Sequence, residues 1–327
     1  MCRAKRFFRM PAAFGVRSTP GSGRLFFMEK RYGEKIMKRF SDLTYKKQQK
    51  TVAFLFLLVP VALIVVFGYL PFLSMIEYSF LRWDGMGEKK YIGLQNYIDA
   101  LTRPENYRVF KVSLYYLAAS IVQIAAALFF ATVLSFECKG KSFFKGIFFF
   151  PNLINGVAIG LIFLYFYRDT GTLNTLLRFL GFKGDTLWLS DPKLVNWSVA
   201  FTSVWRYMGY NMIMFLGAIQ SIPTEIYEAA ELDGANWWDV FRHIILKTII
   251  PIVKLMVILS ITGSLSAFET PYIMTGGGNG SETFVIRTVD TAFKYSKIGL
   301  ASAMAMILTG IVLVVTAIQE KFFKLED

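Results

Sequence analysis

The chain has 327 residues, of which 54% are hydrophobic and 17% aromatic, with a mean hydropathy of +0.45. A chain this apolar cannot cover itself in water, which excludes an ordinary soluble domain and makes lipid its expected solvent. The net charge of +13 is mostly local: residues 1–50 hold 14 Lys/Arg against Glu29, Glu34 and Asp42. No nucleic-acid-binding motif accompanies that basic tail, so no nucleic-acid partner is expected, and residues 1–50 read as a cytoplasmic tail beside anionic lipid. Two cysteines, Cys2 and Cys138, make no disulfide framework, and a single His243 supports no metal or catalytic cluster.

In chain order, the first 27 or so residues mix Arg3, Lys5, Arg6 and Arg9 with a Pro/Gly/Ser-rich stretch and read as an upstream extension, with the natural start expected at Met28 or Met37. A membrane-crossing helix needs about 20 mostly apolar residues. Six windows qualify: 51–73, 111–134, 146–167, 195–222, 249–269 and 298–318. The expected fold is therefore an all-α integral membrane protein with six transmembrane helices in residues 51–327. With both ends inside, the inside segments carry 21 Lys/Arg and the outside segments 12, the bias that sets orientation. Gly156/Gly160 and Gly299/Ala303 supply small residues at four-residue spacing, which lets helices approach closely in lipid.

The segment from Ile222 to Lys247 has the signals of structure rather than of a connecting loop. Pro223 suits a helix opening, and Glu225 and Glu228 suit its positive end. Gly234 is a natural stop, and Asn236 with Asp239 three residues on forms a capping-box pattern for a second helix. Ile226, Ala229, Ala230, Ala235, Trp237, Trp238 and Phe241 provide an apolar side. Five acids against two basic residues is the wrong balance for resting on anionic lipid, and suits docking into a partner's groove.

Glu228-Ala229-Ala230, Gly234, Ile244 and Leu246 fall at the spacings of the EAA motif, and the segment resembles that of binding-protein-dependent ABC importer permeases. The departure is Lys247, where the family usually has Pro; Pro251 follows four residues later. Trp205 to Asn211, Ala218 to Pro223, Thr275 to Gly278 with Thr283, and Ala292 to Gly299 look like the maltose-type carbohydrate uptake branch, with Asn279 where that branch has Pro.

The resemblance implies a cytoplasmic coupling helix between helices 4 and 5, with Glu228, Ala229, Ala230, Asp233, Gly234 and Ala235 at the ATPase joint. It implies a second homologous permease subunit as heterodimer partner, two ATPase subunits that use ATP and Mg, and an extracytoplasmic solute-binding protein. The chain itself would be a transport subunit of the bacterial cytoplasmic membrane, not an enzyme, binding no cofactor and no metal. In agreement, Gly140-Lys141-Ser142 lacks the first Gly of a P-loop, since position 135 is Ser, and Gly276 to Gly280 misses the spacing of a dinucleotide loop.

The resemblance also places the solute among the spans that flank the coupling segment. There, Arg206 and Tyr210 share one face of the fourth span, as do Tyr207 and Asn211, and Ser260 and Ser264 lie one turn apart on the fifth. Aromatic, hydroxyl and amide groups suit a sugar; the same groups also suit bonding between helices, and both readings stand. Arg206 near a helix centre costs roughly 2.5–3.5 kcal/mol on insertion scales and needs a partner or water. The sequence puts no carboxylate at its depth, because the span acids Glu77 and Glu269 fall near the outer ends. Glycerol phosphate, polyamine or amino acid remain alternative solutes. A secondary transporter would be expected to show intramembrane acids and inverted repeats.

Overall fold

The computed structural model describes residues 45–136 and 140–324. The basic leader, the candidate starts at Met28 and Met37, and Cys2 and Cys138 lie outside the described residues. The chain divides at Phe72 into two units. The first holds helix α1 (Tyr45–Ile64) and a π-helical turn, Val65–Tyr69, while α2 (Leu70–Ser79) runs across the division. Residues 45–50 of the expected tail are thus already helical.

In the second unit, a two-stranded hairpin, β1 (Leu81–Arg82) and β2 (Lys90–Tyr91), pairs antiparallel with Leu81 opposite Tyr91. The short helices α3 (Gln95–Thr102) and α4 (Pro104–Tyr107) follow. The Asn96 side chain on α3 donates to the carbonyls of Ser79 at 2.9 Å and Leu81 at 2.8 Å, tying α2, β1 and α3 together.

The long α5 (Phe110–Ser135) buries Tyr116, Ala119, Gln123, Ala127, Ala131 and Leu134, a helical-period stripe that packs along α9 (Val195–Gln220). Between them lie α6 (Lys141–Leu153), α7 (Gly156–Phe166) and α8 (Thr172–Phe179). Gly209 of α9 sits on the Phe148 carbonyl of α6, where any Cβ would overlap it. This close approach of backbones is how apolar helices gain packing energy in lipid.

The expected span over 146–167 is not one straight helix: α6 and α7 meet at a 97° bend. Pro151 removes a backbone donor, Ile154 is extended at ψ 137°, and the Asn155 side chain caps α7 by accepting from Val157 N at 2.9 Å. Hydropathy records how apolar a stretch is and not its direction.

After α9 comes α10 (Thr224–Leu232), with Pro223 in the capping position just outside it. Gly234 turns left-handed at φ +76°, Ala235 N donates to Ala230 O at 2.9 Å, and the helix ends as expected. Asn236 and Asp239 form the reciprocal capping box of α11 (Trp237–Asp239). A π-helical turn, Val240–Ile245, continues directly into α12 (Leu246–Leu265), so Lys247 is accommodated without a break.

The chain then breaks over Ser266–Phe268 and resumes as α13 (Glu269–Thr275), α14 (Phe284–Phe293) and the long α15 (Ile298–Lys324). Gly160 lets α7 approach α13, since a Cβ there would meet Ile273 Cγ2 at 2.6 Å. Asn279 takes φ +55°, which Pro cannot adopt, and its side chain donates to Leu189 O at 2.9 Å. Thr283 caps α14 and donates to Ala267 O at 2.7 Å, holding the break after α12.

Four helical runs are long and apolar enough to cross a membrane: Tyr45–Ser79, Pro104–Ser135, Trp237–Thr275 and Ile298–Lys321; the bent α6–α7 pair would make a fifth. The expected fourth span, α9, has 26 residues, enough length for a crossing at about 1.5 Å per residue. Asn196, Thr202, Arg206 and Asn211 make it less apolar than the other runs. Those polar groups are what it brings to the interior.

Candidate functional site

A cavity of about 450 Å³ lies among α5, α9, α12 and the break before α13. Its wall includes all six residues expected on the pathway: Arg206, Tyr207, Tyr210 and Asn211 from α9, with Ser260 and Ser264 from α12. Positions i, i+1, i+4 and i+5 on one helix cover a single face, so α9 presents its four together. Among the lining residues not foreseen are Tyr116, Ser120 and Gln123 of α5. They recur at i, i+4 and i+7, a polar stripe on an otherwise apolar helix that the sequence displays plainly.

Arg206 has the carboxylate partner that the sequence seemed to deny it. Its Nη1 lies 2.8 Å from Glu269 Oε2, and its guanidinium sits 5.0 Å over the Tyr207 ring. The correction has a physical cause: the break over Ser266–Phe268 restarts the helix at Glu269, so α13 carries that side chain to the cavity instead of onward to the outer end. Gly156, the first residue of α7, adjoins this pair, and a Cβ there would overlap both side chains.

Two donors facing this region have no partner. Arg206 Nε and Asn211 Nδ2 are buried without a hydrogen bond, an arrangement that costs about 1–3 kcal/mol per group unless water or a ligand oxygen completes it. The Ser264 hydroxyl donates to Ser260 O at 2.7 Å, leaving its lone pairs as acceptors. The wall thus offers donors, acceptors and the aromatic rings of Tyr116, Tyr207, Tyr210 and Phe268. Among the described residues no group of His, Cys, Asp or Glu is gathered to hold a metal ion.

The α10 segment is a separate, exposed feature. Glu228, Ala229, Asp233 and Gly234 are exposed, Ala230 and Ala235 are half-buried, and Leu232 is 89% exposed. Tyr227 packs against the core below, where burial pushes its phenol above its ordinary value. Trp237 and Trp238 stack on Phe241 with centroids at 5.7 and 5.5 Å. The helix is thereby fixed to the bundle on one side and open on the other.

Long apolar helices around a cavity that carries a few polar groups define the class, a polytopic helical membrane protein. Residues 123–324 match the family of binding-protein-dependent transport system inner membrane components. The chain belongs to that family, the permeases of ABC importers. It is 36% identical over 285 residues to the probable ABC transporter permease protein YurN of Bacillus subtilis, covering 85% of this chain and 97% of that protein. It is 32% identical to the multiple sugar-binding transport system permease protein MsmF of Streptococcus mutans, covering 82% and 94%. Its fold matches a chain of a bacterial ABC transporter involved in the import of the acidic polysaccharide alginate, with a TM-score of 0.75 at 18% identity over 84% of this chain and 96% of that one.

Proposed function

We propose that this permease forms half of the transmembrane pathway for a sugar or oligosaccharide, with the cavity between α9 and α12 as the place where the solute is handled. The observation that carries this reading is the convergence of Arg206, Tyr207, Tyr210, Asn211, Ser260 and Ser264 on that one cavity. A pyranose has apolar faces and a hydroxyl rim, and tyrosine rings with unpaired donors and free acceptors answer both. The sugar-related names of relatives such as MsmF and the arabinooligosaccharides permease AraP of Bacillus subtilis, at 32% identity, support the same class.

In this reading six spans place both termini in the cytoplasm, with α9 as the fourth crossing and the α6–α7 pair as the third. α10 and the turn after it, with Glu228, Ala229, Ala230, Asp233, Gly234 and Ala235, dock into a groove of an ATPase subunit. A second permease subunit completes the pathway, and an extracytoplasmic binding protein delivers the solute. When two ATPase subunits close on ATP and Mg, α10 moves as a rigid body and the spans change access. This chain supplies the lever and the lining, and no chemistry of its own.

The test is uptake by cells that express the complete importer, offered in turn a set of neutral oligosaccharides, glycerol phosphate, putrescine and glutamine. Uptake confined to oligosaccharides is expected. Uptake of one of the other solutes with no oligosaccharide uptake overturns the assignment.

A further inference from the structure

The cavity wall carries two charged side chains, Arg206 and Glu269, and they are paired at 2.8 Å. Their positions are unequal: the Arg206 side chain is 13% exposed and that of Glu269 is 44% exposed. The cation is thus the more buried member, set over the Tyr207 ring, and the acid is the more exposed one. Resting on the pathway reading above, we infer that Glu269 sets the charge selectivity of the cavity: by neutralising Arg206 it makes the pathway one for uncharged saccharides and disfavours anionic ones.

An unpaired arginine would do the opposite. Its guanidinium presents a planar fork of donors that matches carboxylate and phosphate oxygens, and in a site with little water it would hold a uronate or phosphorylated sugar strongly. Glu269 Oε2 occupies Nη1 of that fork, and the Tyr207 ring covers one face of the guanidinium. Nε is buried without a partner, so it adds no exposed donor to the cavity surface. An acidic solute in the cavity would also meet the more exposed Glu269 carboxylate, at a distance where like charges repel appreciably in a medium less polar than water.

The pair is also held in place. Gly156 opens α7 against both side chains with no room for a Cβ, so the α7 backbone bounds the pair on that side. α7, α9 and α13 each contribute one member of this clamp, and none of the three could be moved without disturbing the charge balance. The fold shared with an importer of an acidic polysaccharide thus leaves the charge of the solute to side chains such as these.

Uptake alone would report the preference of the binding protein, so the test reads the cavity's potential directly. On a Cys2→Ser/Cys138→Ser background, Ser260→Cys in the complete importer is exposed to anionic sulfonatoethyl methanethiosulfonate and to cationic trimethylammonioethyl methanethiosulfonate. The ratio of the two modification rates is the readout. Glu269→Gln keeps shape and removes charge, and should raise the anion-to-cation ratio about tenfold or more; Arg206→Gln should lower it by a similar factor. The double variant should return it to the parent value, and a Ser190→Cys control should not respond.

Labelling of Cys at position 260 with an unchanged ratio in both single variants overturns this inference and leaves the pathway reading standing. No labelling by either reagent overturns both. If neither single variant assembles while the double variant does, the pair serves packing and the inference also falls.

Discussion

Gly209 of α9 rests directly on the backbone carbonyl of Phe148 in α6, a contact that no side chain could share. The two helices cross here backbone to backbone, and α9 is thereby held where its next residue, Tyr210, reaches the cavity. On the same helix, Gly217 is exposed and a Cβ there would meet nothing within 4 Å.

Gly209→Ala should therefore lower the stability of the assembled protein by about 1–3 kcal/mol or more, because the methyl group must push two main chains apart. Gly217→Ala should be neutral or raise it by up to about 1 kcal/mol through helix propensity. Melting temperatures of the two purified variants make the comparison. Equal values would show that the α6–α9 crossing has more room than its geometry indicates.

Part of this architecture is written locally and part is not. Pro223, Gly234, Asn236 and Asp239 act on their own neighbours, so both ends of α10 and the start of α11 follow from the sequence. The four α9 residues share a face by helical spacing alone, and the cavity is legible that far. The Arg206–Glu269 pair is different, since it depends on a break over Ser266–Phe268 within a window that hydropathy treats as continuous. Pro151 and Asn155 act locally at the α6–α7 bend, and a hydropathy window does not register them. Tyr116, Ser120 and Gln123 were visible as a stripe whose partner helix only the fold supplies.

The coupling role proposed for α10 has a direct test. Gly234 needs φ +76°, and proline is fixed near −65°, so Gly234→Pro breaks the turn between α10 and α11. Glu228→Lys reverses a charge on the exposed side without touching the core. Both complexes should assemble and yet lose binding-protein-stimulated ATP hydrolysis by about tenfold or more, the equivalent of roughly 1.4 kcal/mol of docking energy. Parental stimulation in both variants would remove α10 from the joint.

Orientation can be read with two cysteines on a Cys2→Ser/Cys138→Ser background. Leu232, 89% exposed at the end of α10, and the exposed Ser190 between α8 and α9 are suited to labelling without disturbing a cap or the core. In intact cells an impermeant thiol reagent should reach Ser190→Cys and should reach Leu232→Cys only after permeabilisation. The reverse pattern would invert the proposed topology.

Tyr210 decides between a solute pathway and plain packing. Its side chain is half-buried, lines the cavity, and also packs against the buried cluster that contains Met212 and Phe215. If the ring chiefly meets solute, Tyr210→Ala should abolish most uptake while the melting temperature of the purified importer stays near the parent's. If it chiefly fills the bundle, the deletion should cost about 3–5 kcal/mol, by analogy with large-to-small changes in soluble cores, and uptake should fall only in step with the amount of assembled complex. The expected outcome is the first. Ser260→Ala and Ser264→Ala complete the test, because polar contacts in membrane bundles average only about 0.6 kcal/mol and Ser264 bonds within its own helix. Assembly should hardly notice either change, so a transport defect in them points to hydroxyl contact with the solute. Full uptake in all three variants would leave the cavity without a role in transport.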